Sequence, residues 1–276
     1  MLKVLAVAGS DSGGGAGIQA DLKTFTALGA FGMSAVTAVT AQDTQGVAGV
    51  WELPPAAVSQ QIQVVAEDIG ADAVKVGMLS SAALVAAVAE ALGRFLPGCP
   101  LVVDPVMQAK GGHALLAAEA VTELKRLLLP RATVVTPNLP EAAALVGHPV
   151  DTLEDQVHAG QELLASGACW VLVKGGHGAS AEIVDHLAGD APLDFIHPRI
   201  PTPHTHGTGC TLSSAIAVGL ARGLPVPAAV DLAERYVAGA IAHAPGLGHG
   251  HGPLHHMWAL DPASGAEEDL KPWLPE

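Results

Sequence analysis

Leu2-Lys-Val-Leu-Ala-Val-Ala-Gly-Ser-Asp-Ser-Gly-Gly-Gly-Ala-Gly-Ile18 is the stretch on which the fold turns. Its apolar run, Leu2 to Ala8, reads as a buried strand, and Gly9 to Gly17 reads as a glycine-rich loop. Beyond the loop, Ile18, Leu22, Phe25 and Leu28 recur at spacings of four and three, the signature of one helix face. Short apolar runs then alternate with segments of helical periodicity along the chain, without an internal repeat. Met33–Ala41 is a second strand, rich in Val and Thr, and further strands are expected at Ala73–Val76, Leu101–Val103, Thr133–Thr136 and Trp170–Val173. Helices fit between them at Pro55–Asp68, Ser81–Phe95, Ala117–Leu129 and Leu153–Ser166. A hairpin at Ile183–Leu187 and Leu193–His197 precedes two Ala-rich helices, Cys210–Arg222 and Pro227–His243.

Alternating helices and continuously apolar strands imply an α/β fold, a mostly parallel sheet covered on both faces. Ligands of such sheets sit at the carboxyl ends of the strands, where the strand order reverses. Polar residues do gather just after the strands: Asp11 and Ser12, Gln42 and Asp43, Asp104, Asn138, and Lys174. With 50% apolar residues the chain of 276 can bury a sizeable core. Aromatics make up only 3%, so that core must be closely packed Ala, Val and Leu. No domain linker stands out; residues 1–261 read as one domain and the acidic, Pro-containing tail, residues 262–276, as loosely held.

A formal charge of −14 argues against nucleic acid, which needs clustered Lys and Arg. Nor does a basic amphipathic stretch suggest a membrane surface. Three cysteines, Cys99, Cys169 and Cys210, are far apart and form no CxxC pair, so neither a disulfide frame nor a zinc site is expected. The N-terminal apolar run is too short for an export signal, and no run reaches the ~18 apolar residues of a membrane span. A cytoplasmic location is the expectation.

The glycine loop lacks the Lys-Ser or Lys-Thr of a Walker motif, and counting from Gly13 its sixth position is Ile18, so the dinucleotide fingerprint fails too. Thr205-His-Gly-Thr-Gly-Cys-Thr-Leu-Ser-Ser214 says more. Gly207, Thr208 and Gly209 stand immediately before a predicted helix, where converging N–H groups and the helix N-terminus make an anion hole for a transferring phosphoryl group. Cys210 falls in the first turn, where a thiol pKa is expected to drop and the thiol could accept a hydroxyl proton. The plainer reading is a buried cysteine in tight helix packing. Asn138 and Glu141 open another helix; they could hold a hydrated magnesium ion or simply form a helix cap. Asp104 adds a second acid in the same layer, and Lys174 a cation for a phosphate. His249, His251, His255 and His256 crowd a Gly- and Pro-rich segment that lacks the rigid element a zinc site needs, and no GxSxG elbow is present.

On Ala8 to Lys23, Thr37-Ala-Val-Thr-Ala-Gln42, Asp104-Pro-Val-Met107, Lys110-Gly-Gly112, Lys174-Gly-Gly-His177 and His206 to Ser214, the chain resembles the hydroxymethylpyrimidine/phosphomethylpyrimidine kinases of the ribokinase-like superfamily. The resemblance implies a three-layer fold, often assembled as a homodimer. It implies transfer of the ATP γ-phosphate to a pyrimidine hydroxymethyl group and then to the resulting monophosphate, with Mg2+. It places Gln42 on the aminopyrimidine edge, with Gly9, Asp21 and Met78 around the ring and Val106–His113 as a flap. Gly207, Thr208, Gly209 and Cys210 take the catalytic turn. Lys174, Asn138, Asp104 and Thr208 take the ATP side, with Glu141 and Asp104 toward the metal. Asp43 and His204 stand where Asn is common in the family. A pyridoxal kinase and a non-catalytic pyrimidine-binding regulator are the competing readings. Val106–His113 contains no second cysteine, which favours the pyrimidine.

Overall fold

In the computed structural model, which describes residues 1–108, 117–176, 181–261 and 270, the opening run becomes β1 (Leu2–Asp11), buried over its middle on both faces. Leu5 and Val7 enter one apolar cluster while Val4, Ala6 and Ala8 enter another, as the two-residue period of a strand requires. The strand runs three residues into the expected loop, to Asp11, before the glycines turn the chain into α1 (Gly17–Ala27).

The remaining elements follow in order: β2 (Ala30–Gln42), β3 (Val47–Glu52), α2 (Pro55–Asp68), β4 (Ala73–Val76), α3 (Ala82–Phe95), β5 (Leu101–Val103) and α4 (Ala118–Leu127). After them come β6 (Val134–Val135), α5 (Leu139–Val146), α6 (Leu153–Ala165), β7 (Val171–Val173), β8 (Glu182–Ala188), β9 (Leu193–Pro198), α7 (Thr208–Ala221) and α8 (Val226–Ala242). They build a nine-stranded sheet in the order β3-β2-β1-β4-β5-β6-β7-β8-β9. β2, β1, β4, β5, β6 and β7 are mutually parallel; β3 and β8 run against them, and β9, antiparallel to β8, closes the far edge. Helices α2 to α6 cover one face and α1, α7 and α8 the other. The expected three-layer α/β architecture is therefore present.

From β1 the chain moves outward in both directions, to β2 on one side and to β4 on the other. That reversal leaves a crevice at the carboxyl ends of β1 and β4. Helix α7 is buried all round from Thr211 to Leu220 and emerges at its first turn and at its last residue, Ala221. Small residues permit this: a Cβ on Gly219 would lie 2.8 Å from that of Ala229, and one on Gly239 would strike the Trp258 ring.

β3 was not expected. It is a short, half-exposed edge with Trp51 61% exposed, and it is a strand only because β2 supplies its partner. Of the tail, only Leu270 lies among the described residues, and it is buried against the α7–α8 side.

Candidate active site

Asp11, at the end of β1, is nearly inaccessible and organises the glycine loop. Its carboxylate accepts the amides of Gly13, Gly15 and Ala16 at 2.8, 3.0 and 2.8 Å and faces His206 Nε2 at 2.9 Å. Burial pushes this carboxyl up, but His206 and the amides outweigh it and hold the pKa below its ordinary value. The side chain is committed to the loop and is not free for a small molecule. Gly207 interlocks from the other side: its φ is +85°, and a Cβ there would strike the Gly15 carbonyl. Glycine is therefore required at the entry to α7.

First-turn amides of a helix have no intrahelical acceptors. In α7 the amide of Thr208 leans back on the Thr205 carbonyl at 3.4 Å, and among the described residues those of Gly209 and Cys210 have no backbone acceptor and stand ready for a ligand. A Cβ on Gly209 would stand 3.4 Å from Lys174 Nζ and 3.5 Å from Asp104 Oδ2, so the turn abuts the strand ends of β5 and β7. Lys174 Nζ donates to Asp104 Oδ1 at 3.3 Å, and Thr136 Oγ1 donates to the same oxygen at 3.2 Å. Amides, an ammonium and a carboxylate thus share one small volume.

Beneath it lies a fully buried ion pair. Lys75 Nζ on β4 donates to Asp21 Oδ1 at 2.8 Å, with neither side chain exposed, and Ser214 Oγ donates to that oxygen at 2.7 Å. Burial opposes the lysine charge, but Asp21, Cys210 and Asp104 outweigh it and keep the ammonium protonated. At Asp21 burial instead outweighs Lys75 and raises the pKa. The two tendencies oppose each other; the two donors converging on Oδ1 favour the ionised pair. Asp21 was expected around the substrate ring. Having no surface, it cannot touch one and supports Lys75 instead. The expectation for Cys210 also needs correction. Burial pushes its thiol up to about 11, Lys75 only partly opposing, so the helix N-terminus does not win. Lys75 itself escaped notice because a lysine inside an apolar strand run carries no periodic signal.

The ring side is less polar. Met78 and Ala38 form a separate apolar cluster joined by Val50 and Val106. Gly9 completes it, since a Cβ there would lie 3.0 Å from Met78 Sδ. Gln42 ends β2 with its backbone tied to Ser12 Oγ and its Oε1 accepting from Thr40 Oγ1 at 3.2 Å. The Gly- and His-rich segment joins this side to the α7 turn. His249 and Gly250 donate to Thr44 Oγ1, two residues past Gln42, and His206, one residue before Gly207, donates to the Gly252 carbonyl. That segment therefore links the chain just past Gln42 to the start of the amide turn. Among the described residues those histidines belong to no group of three possible metal ligands.

Asn138 and Glu141 form a complete capping box: Glu141 N donates to Asn138 Oδ1 at 2.9 Å and Asn138 N to Glu141 Oε2 at 2.8 Å. The plainer reading of the pair thus holds, yet it does not remove Glu141 from the site. Burial first, and Asp104 beside it, push its carboxyl up to about 7 although Lys174 pulls the other way. Of the flap, residues 109–113 lie outside those described, as do Lys110 and His177. A second concavity, lined by Leu92, Leu96, Cys99, Leu101 and Arg131, opens away from all these groups.

The family model described as phosphomethylpyrimidine kinase matches residues 11–255. The hydroxymethylpyrimidine/phosphomethylpyrimidine kinase of Streptomyces coelicolor is 55% identical over 93% of this chain and 95% of its own. A thiamine biosynthesis bifunctional protein of Geobacter sulfurreducens is 50% identical over 94% of this chain, which spans 53% of that longer one. Among solved structures, a pyridoxal kinase of Staphylococcus aureus in complex with AMP-PCP and pyridoxal superposes with a TM-score of 0.86 at 34% identity, covering 93% of this chain and 94% of its own.

Proposed function

The chain belongs to the phosphomethylpyrimidine kinase family, and from that membership we propose how its own residues carry out the reaction. It is an ATP-using kinase of thiamine biosynthesis with the ribokinase-like fold. It phosphorylates 4-amino-5-hydroxymethyl-2-methylpyrimidine and then the monophosphate. The observation that carries the assignment of roles is the juxtaposition of the α7 amide turn with Lys174 and Asp104, 3.4 and 3.5 Å from the position of a Gly209 Cβ.

The ring lies against Met78, Gly9 and Val106, with the Gln42 amide reading its aminopyrimidine edge. The substrate hydroxyl points at Cys210. Its oxygen bonds to the γ-phosphorus while the bond from that phosphorus to the bridging oxygen breaks, and the hydroxyl proton passes to the thiolate form of Cys210, the minor fraction of this buried thiol at neutral pH. Charge on the transferring oxygens is met by the Gly209 and Cys210 amides and by Lys174, groups already in place before reaction. Asn138 and Thr208 lie on the same ATP side.

Two buried carboxylates, Asp104 and Glu141, near one another and with Glu141 raised to about 7, make a donor set that fits a hard divalent cation. We assign Mg2+ to it; when bound, it neutralises phosphate charge. Residues 1–261 are read as one kinase domain. A homodimer in the cytoplasm is the assembly and location that the resemblance suggests; among the described residues no helix is long and apolar enough to cross a membrane.

The test is the product profile from ATP, Mg2+ and the pyrimidine alcohol, followed by mass spectrometry with pyridoxal as competitor. Sequential mono- and diphosphate are expected. Faster turnover of pyridoxal would move the assignment to the fold's other activity, and pyrimidine binding without ATP consumption would make the chain a regulator. Gln42→Ala is expected to raise the KM for the pyrimidine about tenfold or more, the loss of a specific hydrogen-bonding contact, with kcat little changed. An unaltered KM would remove Gln42 from the ring edge.

A further inference from the structure

Asp185 on β8, His197 on β9 and Glu234 on α8 converge behind the turn that carries Lys174. Ile183 pairs with His197 and Asp185 with Phe195, so Asp185 and His197 lie on the same face of the sheet. Glu234 meets them from α8, and one ligand atom from each of the three lies within 4.8 Å of the others. His197 Nε2 stands 3.5 Å from Asp185 Oδ2 and 3.5 Å from Glu234 Oε2. Those separations exceed good hydrogen bonds. They match the edge of a tetrahedron, roughly 3.4 Å when metal bonds are about 2.1 Å.

Two further observations point to a ligand. The Glu234 side chain is 9% exposed, and its Oε1 is buried with no N–H or O–H donor among the described residues; its one close side-chain neighbour is the Asp185 carboxyl, a like group that an ion between them would satisfy. Asp185 is already oriented from outside the cluster, its Oδ1 accepting the Gly175 amide at 2.6 Å, as a second partner orients a metal-ligating carboxylate. The exposed trio His148, His158 and Glu162 differs. Both of its imidazoles meet the single oxygen Glu162 Oε1, at 2.8 and 3.0 Å, which is hydrogen-bond spacing around one acceptor.

We propose that Asp185, His197 and Glu234 form a divalent-metal site, with one imidazole nitrogen and two carboxylate oxygens suited to Zn2+, that ties β8, β9 and α8 together. Through Asp185 the ion fastens Gly175, and so the turn next to Lys174. The carboxylates and the imidazole bind the ion in their deprotonated forms, so affinity falls as the pH falls.

The probe is Zn2+, titrated calorimetrically into the full chain carrying His148→Ala and His158→Ala, with Mg2+ in excess so that the Asp104–Glu141 pair does not take up Zn2+. One Zn2+ per chain is expected. His197→Ala and Glu234→Gln should each weaken it by about 100-fold or more, while Asp104→Asn leaves it unchanged. Because Glu234→Gln alters a buried position, circular dichroism must show it folded, and the more accessible His197→Ala carries the test if it is not. No bound Zn2+, or an affinity indifferent to His197→Ala, overturns the site and leaves a carboxyl pair sharing a proton.

Discussion

With Cys210 replaced by alanine, the first phosphoryl transfer is expected to slow by about 10²–10⁴-fold, the usual worth of a positioned proton acceptor. The second is expected to slow by less than about tenfold, because the two nucleophiles differ. The first is an alcohol, which must lose a proton as its oxygen bonds to phosphorus. The second is an oxygen of a phosphate monoester, whose second pKa of about 6 leaves it already ionised near neutrality. A base helps only the first. Burial raises the Cys210 thiol to about 11, so at neutral pH it is protonated and takes up a proton only through the small thiolate fraction. The wild-type rate of the first step should accordingly climb through the alkaline range, and that climb should vanish in the variant. Single-turnover measurements of each step would separate the roles. Equal losses in both steps would mean that Cys210 shapes the amide turn and accepts no proton.

Lys75→Met is expected to destabilise the fold by about 3–5 kcal/mol, since it strands a buried carboxylate. For a chain of this size that is about 10 °C in Tm. Asp21 already has one oxygen, Oδ2, buried without a hydrogen-bond partner among the described residues, and Lys75 supplies the charge that tolerates its other oxygen in the interior. Adding Asp21→Leu should recover much of the stability, because an apolar pair of similar volume costs no charge desolvation. Activity should not return with it. Lys75 is also the cation that draws the Cys210 thiol downward, so its loss moves the alkaline limb of the first transfer to higher pH. Thermal unfolding read beside the pH–rate profile checks both halves. A double variant recovering activity together with stability would reduce Lys75 to a structural part.

The alternation of strands and helices was legible from residues alone because burial on both faces of a parallel sheet leaves continuous apolar runs, and helices leave a 3.6-residue period. Pro55–Asp68, Ala73–Val76 and Leu101–Val103 appear with the bounds that their patterns imply. The Gly207 turn was legible too, from glycines set immediately before a helical run; the close approach of Gly15 that makes glycine obligatory there appeared only in the fold. What sequence could not supply is what depends on neighbours distant in the chain. β3 exists through pairing with β2, and the charge of Lys75 through Asp21, 54 residues away. Cys210 illustrates the division best. Its place in a first helical turn is local and readable, and a local argument lowers its pKa. Its actual proton affinity is set by how much of the folded chain surrounds it, a sum over long-range contacts that exists only once α7 is sunk between the sheet and α8.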